Sequence, residues 1–107
     1  VYTVIYTYCM VGITYTEEFA RWLKRLRDKE AKARIIRRID RVKHFENFGD
    51  AEPVGSGVYE MKIDYGPGYR LYYAHRNTEL ILLLLGGDKS TQNRDIAKAK
   101  KLNTQYD

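Results

Sequence analysis

Cysteine is almost missing from this chain: Cys9 stands alone among 107 residues. No disulfide framework can form within one chain, which suits a reducing compartment. Nothing around Cys9 would lower its pKa, which argues against a catalytic thiol. Proline is nearly as scarce, with two residues. No low-complexity segment or solenoid repeat is present. The two histidines, His44 and His75, lack the spacing of a metal-binding pair. His44 closes a helical stretch, where a cation suits the helix dipole, and His75 sits among tyrosines, so both read as structural. Long apolar runs are absent too. The longest, Leu80–Leu85, falls far short of the roughly 18 residues that span a membrane. The first residues do not follow the basic-then-apolar layout of a secretory leader.

What is present is charge, tyrosine and glycine in particular places. A chain of 107 residues that is 44% hydrophobic and 31% charged reads as one globular domain over residues 1–107. Its net charge of +5 is unevenly spread. Residues 19–46 hold eleven Lys or Arg against four Asp or Glu, whereas residues 47–87 hold three against five. A basic surface of this kind is an electrostatic footprint for nucleic acid or an acidic partner, or simply a solvated helix face.

Val1–Tyr8 is rich in β-branched and aromatic residues and reads as a strand; Met10–Tyr15 is a second candidate for the first one. Val1 is no initiator and Met10 can be one, so residues 1–9 are a candidate extension upstream of the domain. Thr14-Tyr15-Thr16-Glu17 fits a capping box, with Thr16 the alternative cap. Phe19, Trp22, Leu23 and Leu26 then fall on one helical stripe, and Ile35, Ile36, Ile39 and Val42 on another. Only a short turn near Asp28-Lys29 separates the two, which predicts an antiparallel helical hairpin. Residues 47–57, with three glycines and Pro53, read as loop.

The period then changes to two. In 58–64, Tyr59, Met61 and Ile63 alternate with Glu60, Lys62 and Asp64. Gly66-Pro67-Gly68 closes a hairpin, and Tyr69–Arg76 returns with Leu71 and Tyr73 on one face, Arg70 and Tyr72 on the other. Residues 79–85 are apolar on both faces, the mark of a central strand. A helix follows from about Thr91 to Leu102. The expected fold is therefore α+β, in the order β-α-α-β-β-β-α, an antiparallel sheet with a helical hairpin and a C-terminal helix, the helices covering one of its faces.

Two glycine-bounded segments stand out: Gly66-Pro67-Gly68-Tyr69-Arg70 and Gly86-Gly87-Asp88-Lys89-Ser90-Thr91-Gln92. Each delivers a cation from a corner of the backbone, as a phosphate grip requires. Arg supplies a permanently charged planar fork for two phosphate oxygens. Lys stabilises developing charge, or acts as a base when its pKa is lowered. Arg70, Lys89 and Lys62 are the candidate catalytic residues. Tyr72, Arg76, Gln92, Arg37 and Arg41 are candidate RNA contacts, tyrosine through stacking and arginine through phosphate. The competing reading is that Arg70 pairs with Glu60 or Asp64, and that Lys89 only flanks a helix start.

At these residues the chain resembles the HigB-type addiction module killer proteins of the RelE/ParE toxin superfamily. The stretches that carry it are EEFARWLKRLRD (17–28), KARIIRRIDRV (32–42), NFGDAEPVGSGVYEMKIDYGPGYRLYYAHR (47–76) and LLLLGGDKSTQNRDIAKAKKL (82–102). The resemblance implies a RelE-like fold of the microbial-RNase type and a cytoplasmic bacterial toxin. It implies neutralisation by a cognate helix-turn-helix antitoxin, through which alone the toxin meets DNA. It also implies metal-independent, cofactor-free cleavage of mRNA, commonly on the ribosome. The arginine that such toxins carry at a Gly-Tyr-Arg strand start maps onto Arg70, and the basic residue after the last core strand onto Lys89. Lys62 is the nearest counterpart of their strand lysines. Asp95 stands where RelE has a C-terminal tyrosine, and Glu60 and Asp64 occur where RelE is more basic. A ParE-like toxin that binds DNA gyrase is the alternative on the same fold.

Overall fold

The computed structural model describes residues 11–106. The strand expected over Val1–Tyr8 and the candidate extension 1–9 lie outside the described residues. The elements run β1 (Gly12–Tyr15), α1 (Glu17–Arg25), α2 (Lys29–Phe45), β2 (Ala51–Gly55), β3 (Val58–Ile63), β4 (Tyr69–Asn77), β5 (Leu80–Asp88), a 3-10 turn (Lys89–Thr91) and α3 (Gln92–Gln105). One five-stranded sheet carries them in the order β1-β5-β4-β3-β2.

Thr16, not Thr14, caps α1. Its Oγ1 accepts from the Phe19 N–H at 3.0 Å and donates to the Leu84 carbonyl at 2.7 Å, so the cap also ties α1 to β5. Asp28 caps α2, accepting from the Glu30 and Ala31 N–H groups. Both helices place their apolar stripes on the sheet. Phe19 from α1 and Ala31, Ile35 and Val42 from α2 join Met61, Ile63, Leu71 and Tyr73 in one buried cluster.

The expected antiparallel helical hairpin does not form. The apolar stripes of both helices pack on the sheet. Between them runs an apolar groove of about 310 Å³, lined by Phe19, Ala20 and Leu23 on one side and Lys32 and Ile39 on the other.

Three further expectations are corrected. First, the sheet is mixed, because β1 runs parallel to β5 while β2 to β5 form an antiparallel meander. Second, residues 51–55 are a strand and not loop. β2 lies at the sheet edge, where Pro53 need not donate to a second neighbour, and the ladder with β3 shifts register between Pro53 and Gly55. Third, helices cover both faces. Val58, Tyr72, Ala74, Leu82, Leu84 and Leu85 pack against Ala99 and Leu102 of α3, opposite the α1/α2 cluster. β5 is buried from Ile81 to Gly87 because both its faces are covered.

Candidate functional site

The alternation in β3 and β4 decides which side chains meet under α3. Lys62 stands opposite Arg70, and Glu60 opposite Tyr72. Arg70 continues across the sheet to Gly87. Tyr72 belongs to the cluster packed against α3, so Glu60, Lys62, Arg70 and Tyr72 share the α3 side of the sheet.

The turn before Arg70 is a true glycine corner. Gly66 and Gly68 have φ of 56° and 81°, which glycine adopts without cost. Lys89 donates its backbone N–H to the Gly68 carbonyl at 2.9 Å, so the two cation-bearing segments are joined directly. Gly86-Gly87 is different: it is not a corner but part of β5. A Cβ at Gly86 would fall 2.1 Å from the Trp22 ring, and one at Gly87 2.1 Å from Asp95 Oδ2. The pair exists because α1 and α3 press on the strand from opposite faces.

Arg70 is not a free cation. Its Nε lies 3.8 Å from Glu60 Oε2, and the pair is nearly closed to solvent, at 11% and 1% side-chain exposure. Its Nη1 donates to the Gly68 and Tyr69 carbonyls, both at 3.2 Å. The Nε is buried and has no hydrogen-bond acceptor among the described residues. Glu60 Oε2 also accepts from the Tyr72 hydroxyl at 3.1 Å and from Gln92 Nε2 at 2.8 Å. Burial, then the Glu60 charge, pushes the Tyr72 hydroxyl far above the ordinary tyrosine range. Tyr72 is therefore a neutral donor. Lys62 Nζ pairs with Glu52 Oε1 at 2.8 Å, which raises the lysine and lowers the carboxylate.

Lys89 is exposed at the rim, beside a hollow of about 350 Å³ lined by residues 89–94, including Arg94. Here α3 begins at Gln92 with no side-chain cap from Thr91. The Thr91 hydroxyl instead donates to Asp95 Oδ2 at 2.5 Å. Lys89 and Arg94 favour an anion at this rim, while Asp88, which accepts from the Ser90 N–H, and Asp95 in the first turn of α3 oppose one.

The structure thus brings Arg70, Lys89, Lys62, Tyr72 and Gln92 to one region, but gives several of them different work. Tyr72 is fully buried, so its ring offers no face for a base to stack on. Gln92 is committed to Glu60. Arg76 lies at the far end of β4, donating to the Asn103 and Tyr106 carbonyls at the end of α3. Arg37 and Arg41 are on α2, across the sheet from Arg70. Arg37 pairs with Glu30 at 3.3 Å, and with Arg34, Arg38 and Arg41 it lines a separate hollow of about 300 Å³. Sequence reasoning missed Arg94 and the joint action of Glu60 and Gln92. Arg94 lies two residues past Gln92, and the helix start alone could have drawn attention to it.

Residues 21–106 match the family described as Phage derived protein Gp49-like (DUF891). The chain belongs to this Gp49-like family. It is a toxin-like family related to addiction modules. The chain is also 48% identical over 92 residues to an uncharacterized protein of Haemophilus influenzae strain Rd, covering 86% of this chain and 92% of that protein. No helix among the described residues is long and apolar enough to cross a membrane.

Proposed function

We propose that this chain is the toxin of a type II toxin–antitoxin pair and stops translation by metal-independent cleavage of mRNA, associated with the ribosome in the bacterial cytoplasm. Membership of a toxin-like family supports the antitoxin partner, expected to be a helix-turn-helix protein. The HigB-type resemblance, with its RelE-like fold, supports the nuclease reading. The observation that carries it is the junction of the two cation-bearing segments, Lys89 N–H to the Gly68 carbonyl, which sets Lys89 beside Arg70.

In this reading a scissile phosphate sits at the hollow before α3. The ribose 2′-OH attacks the phosphorus and gives up its proton to water. The P–O5′ bond breaks to leave a 2′,3′-cyclic phosphate, and the departing 5′ oxygen takes a proton from water. Negative charge grows on the non-bridging oxygens on the way. Lys89 meets that charge from the rim, and Arg70 from beneath. Primer extension on a reporter mRNA, with and without ribosomes, tests it. Wild type is expected to cut, and Arg70→Ala and Lys89→Ala to lose roughly 100-fold or more, the scale of removing one oriented donor. Full toxicity of both variants overturns it. A gyrase-binding, ParE-like role draws support from the near-complete burial of Arg70. DNA damage with intact mRNA in expressing cells would establish that role instead.

A further inference from the structure

We propose that Glu60 is a positioning residue for Arg70, itself held by Tyr72 and Gln92, so that the Arg70 guanidinium and the start of α3 move as one unit. This rests on the reading of Arg70 as a phosphate contact.

Glu60 is a charged side chain at 1% exposure. A carboxylate so placed is tolerated only beside a cation and under hydrogen-bond donors. Lys62, on the same strand face, is turned outward to Glu52. Among the described residues, Arg70 is the cation within 4 Å of Glu60. Glu60 and Arg70 are diagonal neighbours across the β3–β4 ladder, a separation that long side chains bridge.

Three donors converge on one oxygen. Tyr72 and Gln92 are already bonded to Glu60 Oε2, while Arg70 Nε stands 3.8 Å away, about 0.9 Å beyond an ordinary N–H···O bond. The opposite end of the guanidinium is anchored by the Gly68 and Tyr69 carbonyls. The guanidinium is thus hydrogen-bonded at Nη1 and drawn by charge, without a hydrogen bond, at Nε. Gln92 belongs to α3, so the latch crosses from sheet to helix and sets Arg70 relative to Lys89 and Arg94. Without the carboxylate, the Gly68 and Tyr69 carbonyls of the turn would alone restrain the Arg70 guanidinium among the described residues, and a shift of about 1 Å in such a group costs on the order of 100-fold in rate.

The test variant is Glu60→Gln, which keeps the shape and still accepts from Tyr72 and Gln92 but removes the charge. With 15N-labelled protein, the Arg70 Nε–H signal is assigned by its loss in Arg70→Lys. It is expected to exchange slowly with solvent in the wild type and about tenfold faster in Glu60→Gln, while Glu60→Asp recovers part of the protection. In cleavage assays kcat is expected to fall roughly 10- to 100-fold, with KM unchanged or lower because the variant is more positive. A purely structural role would lower the folded fraction and leave kcat per folded molecule unchanged.

If Glu60→Gln does not fold, Tyr72→Phe and Gln92→Ala loosen Glu60 one donor at a time and are read by the same signal. Unchanged Nε–H exchange in folded variants overturns the proposal. If the wild type cuts no RNA, the nuclease reading fails, yet the exchange measurement still decides whether Glu60 holds Arg70.

Discussion

Gly87 lies so close beneath Asp95 that a Cβ added to it would stand 2.1 Å from the carboxylate Oδ2. Asp95 cannot simply step aside, because it is buried and accepts from Thr91 at the start of α3. The seating of α3 on the sheet thus depends on the smallest residue in β5.

Gly87→Ala is therefore expected to destabilise the protein by about 1–3 kcal/mol through overpacking, measured by urea denaturation. In an Asp95→Ala background the cost should drop by more than half, since the obstructing oxygens are gone. Equal costs in both backgrounds would show that the close approach is not the cause.

Stability should fall at alkaline pH. Burial, then the charge of Tyr59, pushes the Tyr73 hydroxyl up to about 12, and burial raises Tyr72 further. In the unfolded chain both titrate near pH 10. From pH ~10 up to the native value, about 12 for Tyr73, the native state keeps a proton that the unfolded state releases, so stability drops by ~1.4 kcal/mol per pH unit for each tyrosine at most. Below pH ~10 the contribution is fully present. Urea midpoints at pH 8, 10 and 11 should show the decline, and Tyr73→Phe should make it about half as steep. A level profile would refute this linkage.

Arg76 was expected to touch RNA, yet it donates to the Asn103 and Tyr106 carbonyls. Carbonyls at a helix end need such donors. Arg76→Ala is expected to fray the last turn of α3, so that amides from Asn103 to Tyr106 exchange faster while those of β4 and β5 keep their protection. Unchanged exchange at residues 103–106 would remove this role.

The local part of this architecture could be read directly. Period-two alternation in 58–63 placed Met61 and Ile63 on one face, and they are found in one buried cluster. The stripes of α1 and α2 were visible because residues three and four apart share a helix face whatever lies opposite. The glycines at 66 and 68 marked a real turn, as positive φ is a local demand. β2 was hidden by Pro53 and Gly55, residues that signal a loop unless an edge position excuses them.

For the site, composition and spacing determined that Arg70 and Lys89 follow glycine-rich segments, and that Arg70 would face away from Leu71. They left both Glu60 and Asp64 as partners for Arg70. Only the tertiary structure chose Glu60, because α3 descends on that face with Gln92 and buries the carboxylate beside the arginine. The same packing turned Gly86-Gly87 from an apparent corner into a strand pressed by Trp22 and Asp95, and set Arg37 and Arg41 on the opposite side of the sheet. Periodicity is a property of neighbouring residues. Which face a helix covers, which strand lies beside which, and which charge is buried depend on groups far apart in the chain, and those are settled only when the layers meet.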